Sequence, residues 1–249
     1  MRAIRMASVV CLVSMGVLAA GGCDTPAARE GGVNACCAAP FTAGDLRGCW
    51  KFDEGSGETV NNNAGSNNGR IVGNLRWTDG RTGKAIAFDG KGYVLIESAP
   101  YLNATQYTFA AWVKLKDTGD YQYIAWRGGP AYPEDKECRN LDIWVQSDGA
   151  LSGILNYEKG GGGRLQVSGS KKVADNQWHL VVCVNDGKTV RFYVDGRKDA
   201  EGALTGPLAK SDFPLWIGAR PSDVAATGII DEVRFFARAL TPEEVAALK

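Results

Sequence analysis

From Leu46 onward, apolar and polar residues alternate in short runs separated by turn residues. In Phe109-Ala-Ala-Trp-Val-Lys-Leu115, one side carries Phe109, Ala111, Val113 and Leu115, and the other carries Trp112 and Lys114. In Leu141–Gln146, Leu141, Ile143 and Val145 oppose Asp142 and Trp144; in Val190–Val194, Arg191 and Tyr193 oppose the aliphatic side chains. A period of two is the repeat of a β-strand. Similar runs cover Leu46–Phe52, Ala85–Phe88, Tyr93–Ile96, Tyr121–Trp126, Leu151–Tyr157, Trp178–Val184, Leu215–Gly218 and Ile229–Phe236. Asp-Gly pairs at 89–90, 148–149, 186–187 and 195–196 mark turns between them. Gly55–Gly69, rich in asparagine, and Gly160–Gly163 read as loops. Helical signals are confined to the end, where Thr241, Pro242 and Glu244 supply a capping hydroxyl, a proline at the first helical position and a carboxylate three residues after the cap. The pattern predicts an all-β sandwich or barrel with a short C-terminal helix that covers an apolar edge.

If the aliphatic sides form the inner core, Trp112, Trp144 and Tyr193 stand on outer faces. Aromatic rings with polar neighbours in that position suit stacking against a sugar; the alternative is that loops fold over the sheet and bury them.

The N-terminus is not part of the sandwich. Arg2 and Arg5 precede the small, apolar run Ala7–Ala20, and Gly21-Gly22-Cys23 follows. Residues 1–22 therefore read as a secretory signal, too short for a membrane span. Residues 23–45, rich in Ala, Gly and Pro, read as a tether, and 46–249 as one domain. Leu18-Ala-Ala-Gly-Gly-Cys23 resembles a bacterial lipoprotein signal, departing from it at Ala20, where leucine is favoured. The resemblance implies a lipid on Cys23 that anchors the domain to a membrane of the cell envelope; plain cleavage would instead release a secreted protein.

Formal net charge is zero, and removing the signal's two arginines leaves the mature chain slightly acidic. With no dense lysine–arginine cluster, nucleic acid is an unsuitable partner. Of the seven cysteines, Cys183 reads as a small buried residue in a strand, and Cys138 as a candidate for a disulfide whose partner the spacing leaves open. There is no C-x-x-C spacing to suggest a thiol redox site or a zinc knuckle.

Six segments in order resemble the laminin-G-like, or concanavalin A-like, jelly-roll domains. They are Trp50–Gly57, Gly83–Gly90, Tyr107–Lys114, Asp175–His179, Asp186–Gly196 and Ile230–Leu240. The resemblance covers nearly all of 46–248 and implies a two-sheet antiparallel jelly-roll sandwich. It also implies a non-catalytic module that binds carbohydrate or, second, an envelope or extracellular protein, or that serves a structural role. Many members hold one structural calcium. The positions that correspond here are Asp231 and Asn62, where the family usually has an aspartate, with Glu54 or Asp53 adding an oxygen. A cage of six to eight hard oxygens is what calcium requires; the alternative is that Asp231 accepts hydrogen bonds from turn amides of the Asn61–Asn68 loop.

Catalytic constellations are not apparent. The related laminarinase-like enzymes carry two glutamates flanking an aspartate on one strand, and no Glu-x-Asp-x-x-Glu run occurs here. Glu134-Asp135-Lys136-Glu137 reads as a solvated loop, and the one histidine, His179, as structural.

Overall fold

The computed structural model describes residues 44–129, 138–158, 163–221 and 225–249. The signal, Cys23 and nearly all of the tether, the acidic run 134–137 and glycines 160–162 lie outside the described residues.

In chain order the strands are β1 (Leu46–Trp50), β2 (Thr59–Val60), β3 (Gly69–Val72), β4 (Arg76–Asp79), β5 (Lys84–Asp89), β6 (Tyr93–Ile96), β7 (Tyr107–Leu115) and β8 (Gln122–Arg127). They continue with β9 (Leu141–Val145), β10 (Ala150–Asn156), β11 (Arg164–Lys172), β12 (His179–Asn185), β13 (Thr189–Val194), β14 (Arg197–Ala203), β15 (Leu215–Ile217) and β16 (Thr227–Phe236), before helix α1 (Pro242–Ala247). Two antiparallel sheets form the expected sandwich. The first runs β14-β13-β12-β7-β16-β5-β4, with β1 also paired to β16; the second runs β11-β10-β9-β8-β15-β6-β3-β2.

The inner faces meet in one apolar core. Phe109, Ala111, Val113 and Leu115 enter it from β7, Leu141, Ile143 and Val145 from β9, and Val190, Phe192 and Val194 from β13, as the alternation predicts. A second apolar layer lies on the outer face of the first sheet, where Trp112, Leu180, Val182, Tyr193 and Phe236 pack with Leu240, Val245 and Leu248. The C-terminal segment thus covers a sheet face, not an edge. Burial on both sides explains why every residue of β12 is buried.

Local chemistry fixes that cover. Thr241 accepts from the Glu244 amide and Glu244 accepts from the Thr241 amide, the reciprocal cap the sequence indicates. Arg238 pairs with Glu244 at 2.7 Å and with Asp45 at 2.9 Å, tying the helix to the start of β1. The buried Thr108 hydroxyl donates to the Arg238 carbonyl and accepts from the Leu240 amide.

The alternation fails in two places. β16 carries a bulge: Asp231 pairs with Trp112 and Arg234 with Ala110, so two residues of β16, Glu232 and Val233, stand opposite one of β7, Ala111. Glu232 takes φ +48° there, and Ile230 and Val233, three apart, both reach the core. The other departure is in strands that the alternation does not mark. Part of the Gly55–Gly69 loop is β2 and the start of β3, and β11 and β14 are largely exposed. Short length, or an inner face carried by only a few apolar residues such as Leu165, Val167 and Ala200, leaves little hydrophobic period.

Gly153 of β10 lies against the facing sheet, where a Cβ would overlap the Asp142 carbonyl oxygen and the Phe192 ring. We expect Gly153→Ala to lower stability by about 1–3 kcal/mol through overpacking, measured by urea unfolding; an unchanged midpoint would show that the two sheets separate freely there.

Candidate functional site

The side chains expected to hold calcium serve backbone amides, and Asp53, the alternative to Glu54, accepts from the Lys84 amide at 2.9 Å. Asn62 Oδ1 accepts from the Cys49 and Ala64 amides, at 2.9 and 3.0 Å, while its Nδ2 donates to the Arg47 carbonyl. Glu54 Oε1 accepts from the backbone and side chain of Asn61. Asp231 Oδ2 accepts from the Arg81 amide at 2.7 Å and the Thr82 amide at 3.3 Å, and its Oδ1 from the Glu232 amide at 2.8 Å. Glu54 and Asn62 serve the 61–64 segment, and Asp231 and Asp53 the 81–84 turn. No three His, Cys, Asp or Glu side chains among the described residues converge, so these oxygens do not form a calcium cage as arranged. Asp231 does anchor turn amides, but those of residues 81 and 82, not those of the Asn61–Asn68 loop.

The three aromatics expected at a ligand surface are also separated. Tyr193 is 4% exposed and Trp112 9% exposed, both in the apolar layer that includes α1. Trp112 additionally carries the Arg81 guanidinium 4.8 Å from its ring centre. Trp144 stands on the other sheet, on its outer face, and is only half-buried.

Trp144 is the centre of an aromatic ridge. Across the β8–β9 register it pairs with Tyr123, their rings 6.2 Å apart and nearly parallel. Tyr121 meets Trp144 edge-on at 4.9 Å and is 46% exposed, the one large apolar side chain so exposed among the described residues. Tyr123 in turn meets Trp126 at 90°. Trp126 is fully buried, with the guanidinium groups of Arg139 and Arg220 at 4.7 and 4.8 Å from its ring centre. The indole N–H groups of Trp126 and Trp144 are both shielded from solvent without a hydrogen-bond partner. Such donors cost free energy until an acceptor reaches them.

Polar groups continue the ridge. Trp144 pairs with Ser152, and Ser152 with Ser168, whose hydroxyls lie 2.9 Å apart. In the adjacent row Trp126 faces Asp142, and Gln166 faces Ile154. An aromatic cluster beside hydroxyl and amide groups matches a sugar ring with its edge of hydroxyls. The alternation of Tyr121 and Tyr123 was the available signal for the ridge; strand pairing, which joins them to Trp144, is not legible in one run.

His179 has its Nδ1 2.9 Å from Asp195 Oδ2 and its Nε2 3.2 Å from Asp175 Oδ1. Both ring nitrogens are thereby committed. Burial opposes ionisation of Asp175, but the Gln177 amide and His179 outweigh it and hold its carboxyl below the usual range. Cys183 lies in the inner core, where burial pushes its thiol up and away from nucleophilic use.

With two antiparallel sheets and an aromatic outer face, the molecule falls in the class of concanavalin A-like sandwiches. Residues 88–246 match the family model described as Concanavalin A-like lectin/glucanases superfamily, and the chain belongs to that family. Laminin subunit alpha-3 of Homo sapiens is 37% identical over 62 residues, which are 24% of this chain and 2% of that protein. The binding domain of Paraclostridial Mosquitocidal Protein 1 is similar with a TM-score of 0.67 at 15% identity, covering 83% of this chain and 52% of that one. Domain 4 of AbnA, a GH43 extracellular arabinanase from Geobacillus stearothermophilus, in complex with arabinotriose, gives 0.57 at 22% identity, covering 82% and 98%. The binding domain of Botulinum Neurotoxin DC in complex with SialylT gives 0.64 at 12% identity, covering 83% and 51%. At these identities the structural likeness shows the fold alone.

Asp231 generates a pH dependence. Burial pushes its carboxyl up to about 7 from 3.8; the Thr82 and Arg81 amides counteract this, and the charge of Glu232 adds to it. The folded chain therefore holds a proton that the unfolded chain releases, and this contribution to stability is lost as pH rises from about 4 to about 7. Urea unfolding of wild type and Asp231→Asn should show the wild type losing stability relative to the variant between pH 5 and pH 8; a constant difference would contradict the assignment.

Proposed function

We propose that this protein is a non-catalytic carbohydrate-binding module whose ligand lies across Tyr121, Tyr123 and Trp144 on the outer face of the second sheet. The observation that carries the reading is the Tyr121–Trp144–Tyr123 ridge, exposed at Tyr121 and half-buried at the other two rings, with an unpartnered, shielded indole N–H at its centre. Stacking supplies affinity at low entropic cost, because ring side chains have few rotamers to lose. Ser168 and Gln166, both exposed, supply hydrogen bonds that orient the ring.

Hydrolysis by this face is disfavoured by its composition. Glycoside cleavage needs two carboxyl groups flanking the bond. The cross-strand rows through Trp126 and Trp144 bring up Asp142 alone, and its Oδ2 lies 3.4 Å from Arg139 Nη1.

The reading includes a membrane-held form, with acylation at Cys23 and residues 24–45 as a spacer. Growth with an alkyne fatty acid should label the wild-type chain and not Cys23→Ser; equal labelling of both would remove the anchor.

Isothermal titration with neutral oligosaccharides such as arabinotriose, xylotriose and cellotriose tests the ligand surface. We expect at least one to bind, and Trp144→Ala to weaken it by about 2 kcal/mol or more, the usual cost of truncating a central tryptophan. Binding by the wild type that survives Trp144→Ala unchanged would place the site elsewhere, and no heat with any sugar would favour a protein partner.

A further inference from the structure

The cover over the first sheet is incomplete. Two depressions on that outer face share Arg81, Trp112 and Lys249 and form one groove. One arm reaches Lys51, Glu232 and Arg234; the other reaches Gln177, Trp178 and Asp195.

The groove carries excess positive charge. The Lys51, Arg81 and Lys249 side chains have no carboxylate partner among the described residues, whereas the two side-chain carboxylates present are committed. Glu232 pairs with Arg234 at 2.6 Å, and Asp195 accepts from His179 and from the Leu180 amide. Arg234 Nε is shielded from solvent without a hydrogen-bond partner.

Two of the cations, Arg81 and Arg234, are held in place by the fold. The β16 bulge inserts the extra residue between Asp231 and Arg234, at the edge of this groove. The Arg81 guanidinium lies on the Trp112 ring, and its backbone amide is fixed by Asp231. A stacked guanidinium keeps its N–H edge open to a planar, bidentate acceptor such as a carboxylate. Trp178, half-buried at the other arm, offers an apolar surface, and Thr82 and Gln177, both exposed, offer neutral polar groups suited to hydroxyls.

We propose that this groove is a second binding site, selective for carboxylate-bearing sugars such as the uronate units of an acidic polysaccharide. The carboxylate sits between Arg81 and Lys51, and the ring runs toward Trp178. The proposal does not depend on the neutral-sugar reading of the opposite sheet.

The test is calorimetric titration of the full mature chain with trigalacturonate and with its methyl ester, which keeps the shape and removes the charge. The acid should bind and the ester should not, and binding should weaken with added salt. Lys51→Ala/Arg81→Ala should reduce affinity roughly tenfold or more, as loss of charge-assisted hydrogen bonds requires, with the circular dichroism spectrum confirming a folded chain. Lys51→Glu alone should give a loss in the same direction. Trp144→Ala distinguishes the two faces: acid binding that persists in it supports the groove, and acid binding lost in it overturns the groove in favour of the aromatic ridge. No binding of the acid, equal binding of the ester, or wild-type affinity in both cation variants would also overturn the proposal.

Discussion

The outer face of the first sheet is apolar and must be kept from water; most of the remaining architecture follows from that requirement. Trp112, Leu180, Val182, Tyr193 and Phe236 cannot be left as an open patch without creating an association surface. Segment 237–248 covers them and is fastened by hydrogen bonds at Thr108, by Arg238 between Asp45 and Glu244, and by the reciprocal cap at Thr241. Once this cover is in place, β7 and β12 are buried on both faces. The second sheet has no such helix among the described residues, and on its outer face Tyr121 is exposed while Tyr123 and Trp144 are half-buried.

The two faces thus offer different chemistry. On the second sheet, neighbouring strands bring together rings and hydroxyls, with one carboxylate in those rows beside an arginine. On the first, a single inserted residue in β16 shifts the strand's parity and sets Glu232 and Arg234 into a groove already bordered by Lys51 and Arg81. The same bulge buries Asp231, whose three amide donors make it a fastening for the 81–82 turn. A carboxylate in the final strand has a structural use here that accounts for its burial.

Much of this fold was legible in the alternation of residues. Inner and outer sides of β7, β9 and β13 were assigned correctly, because each strand has one face in the inter-sheet core. The C-terminal helix was legible because its cap is local, although the surface it covers was not. β11 and β14 are poorly legible because only a few apolar residues, Leu165, Val167 and Ala200, mark their inner sides. The candidate site was less legible. Period two separates outer from inner, but it does not say which sheet an outer face belongs to. Trp112, Tyr193 and Trp144 therefore looked equivalent, and only cross-strand pairing with Tyr123 and Ser152 distinguishes Trp144. Asn62 and Asp231 looked like facing ligands because sequence shows oxygen donors without showing the amides that occupy them.

The central claim is that sugar meets the molecule at the aromatic ridge of the second sheet, and the indole N–H resonances report on it directly. In a 1H–15N correlation spectrum of the labelled protein titrated with the neutral trisaccharide that binds best, the Trp144 indole N–H should shift most, with a smaller change at Trp126 beneath the arginines. The resonances of Trp50, buried in the core, and Trp112, on the opposite sheet, should stay in place. Movement of Trp112 or Trp178 with Trp144 unchanged, or no movement of any indole at saturating sugar, would contradict the account.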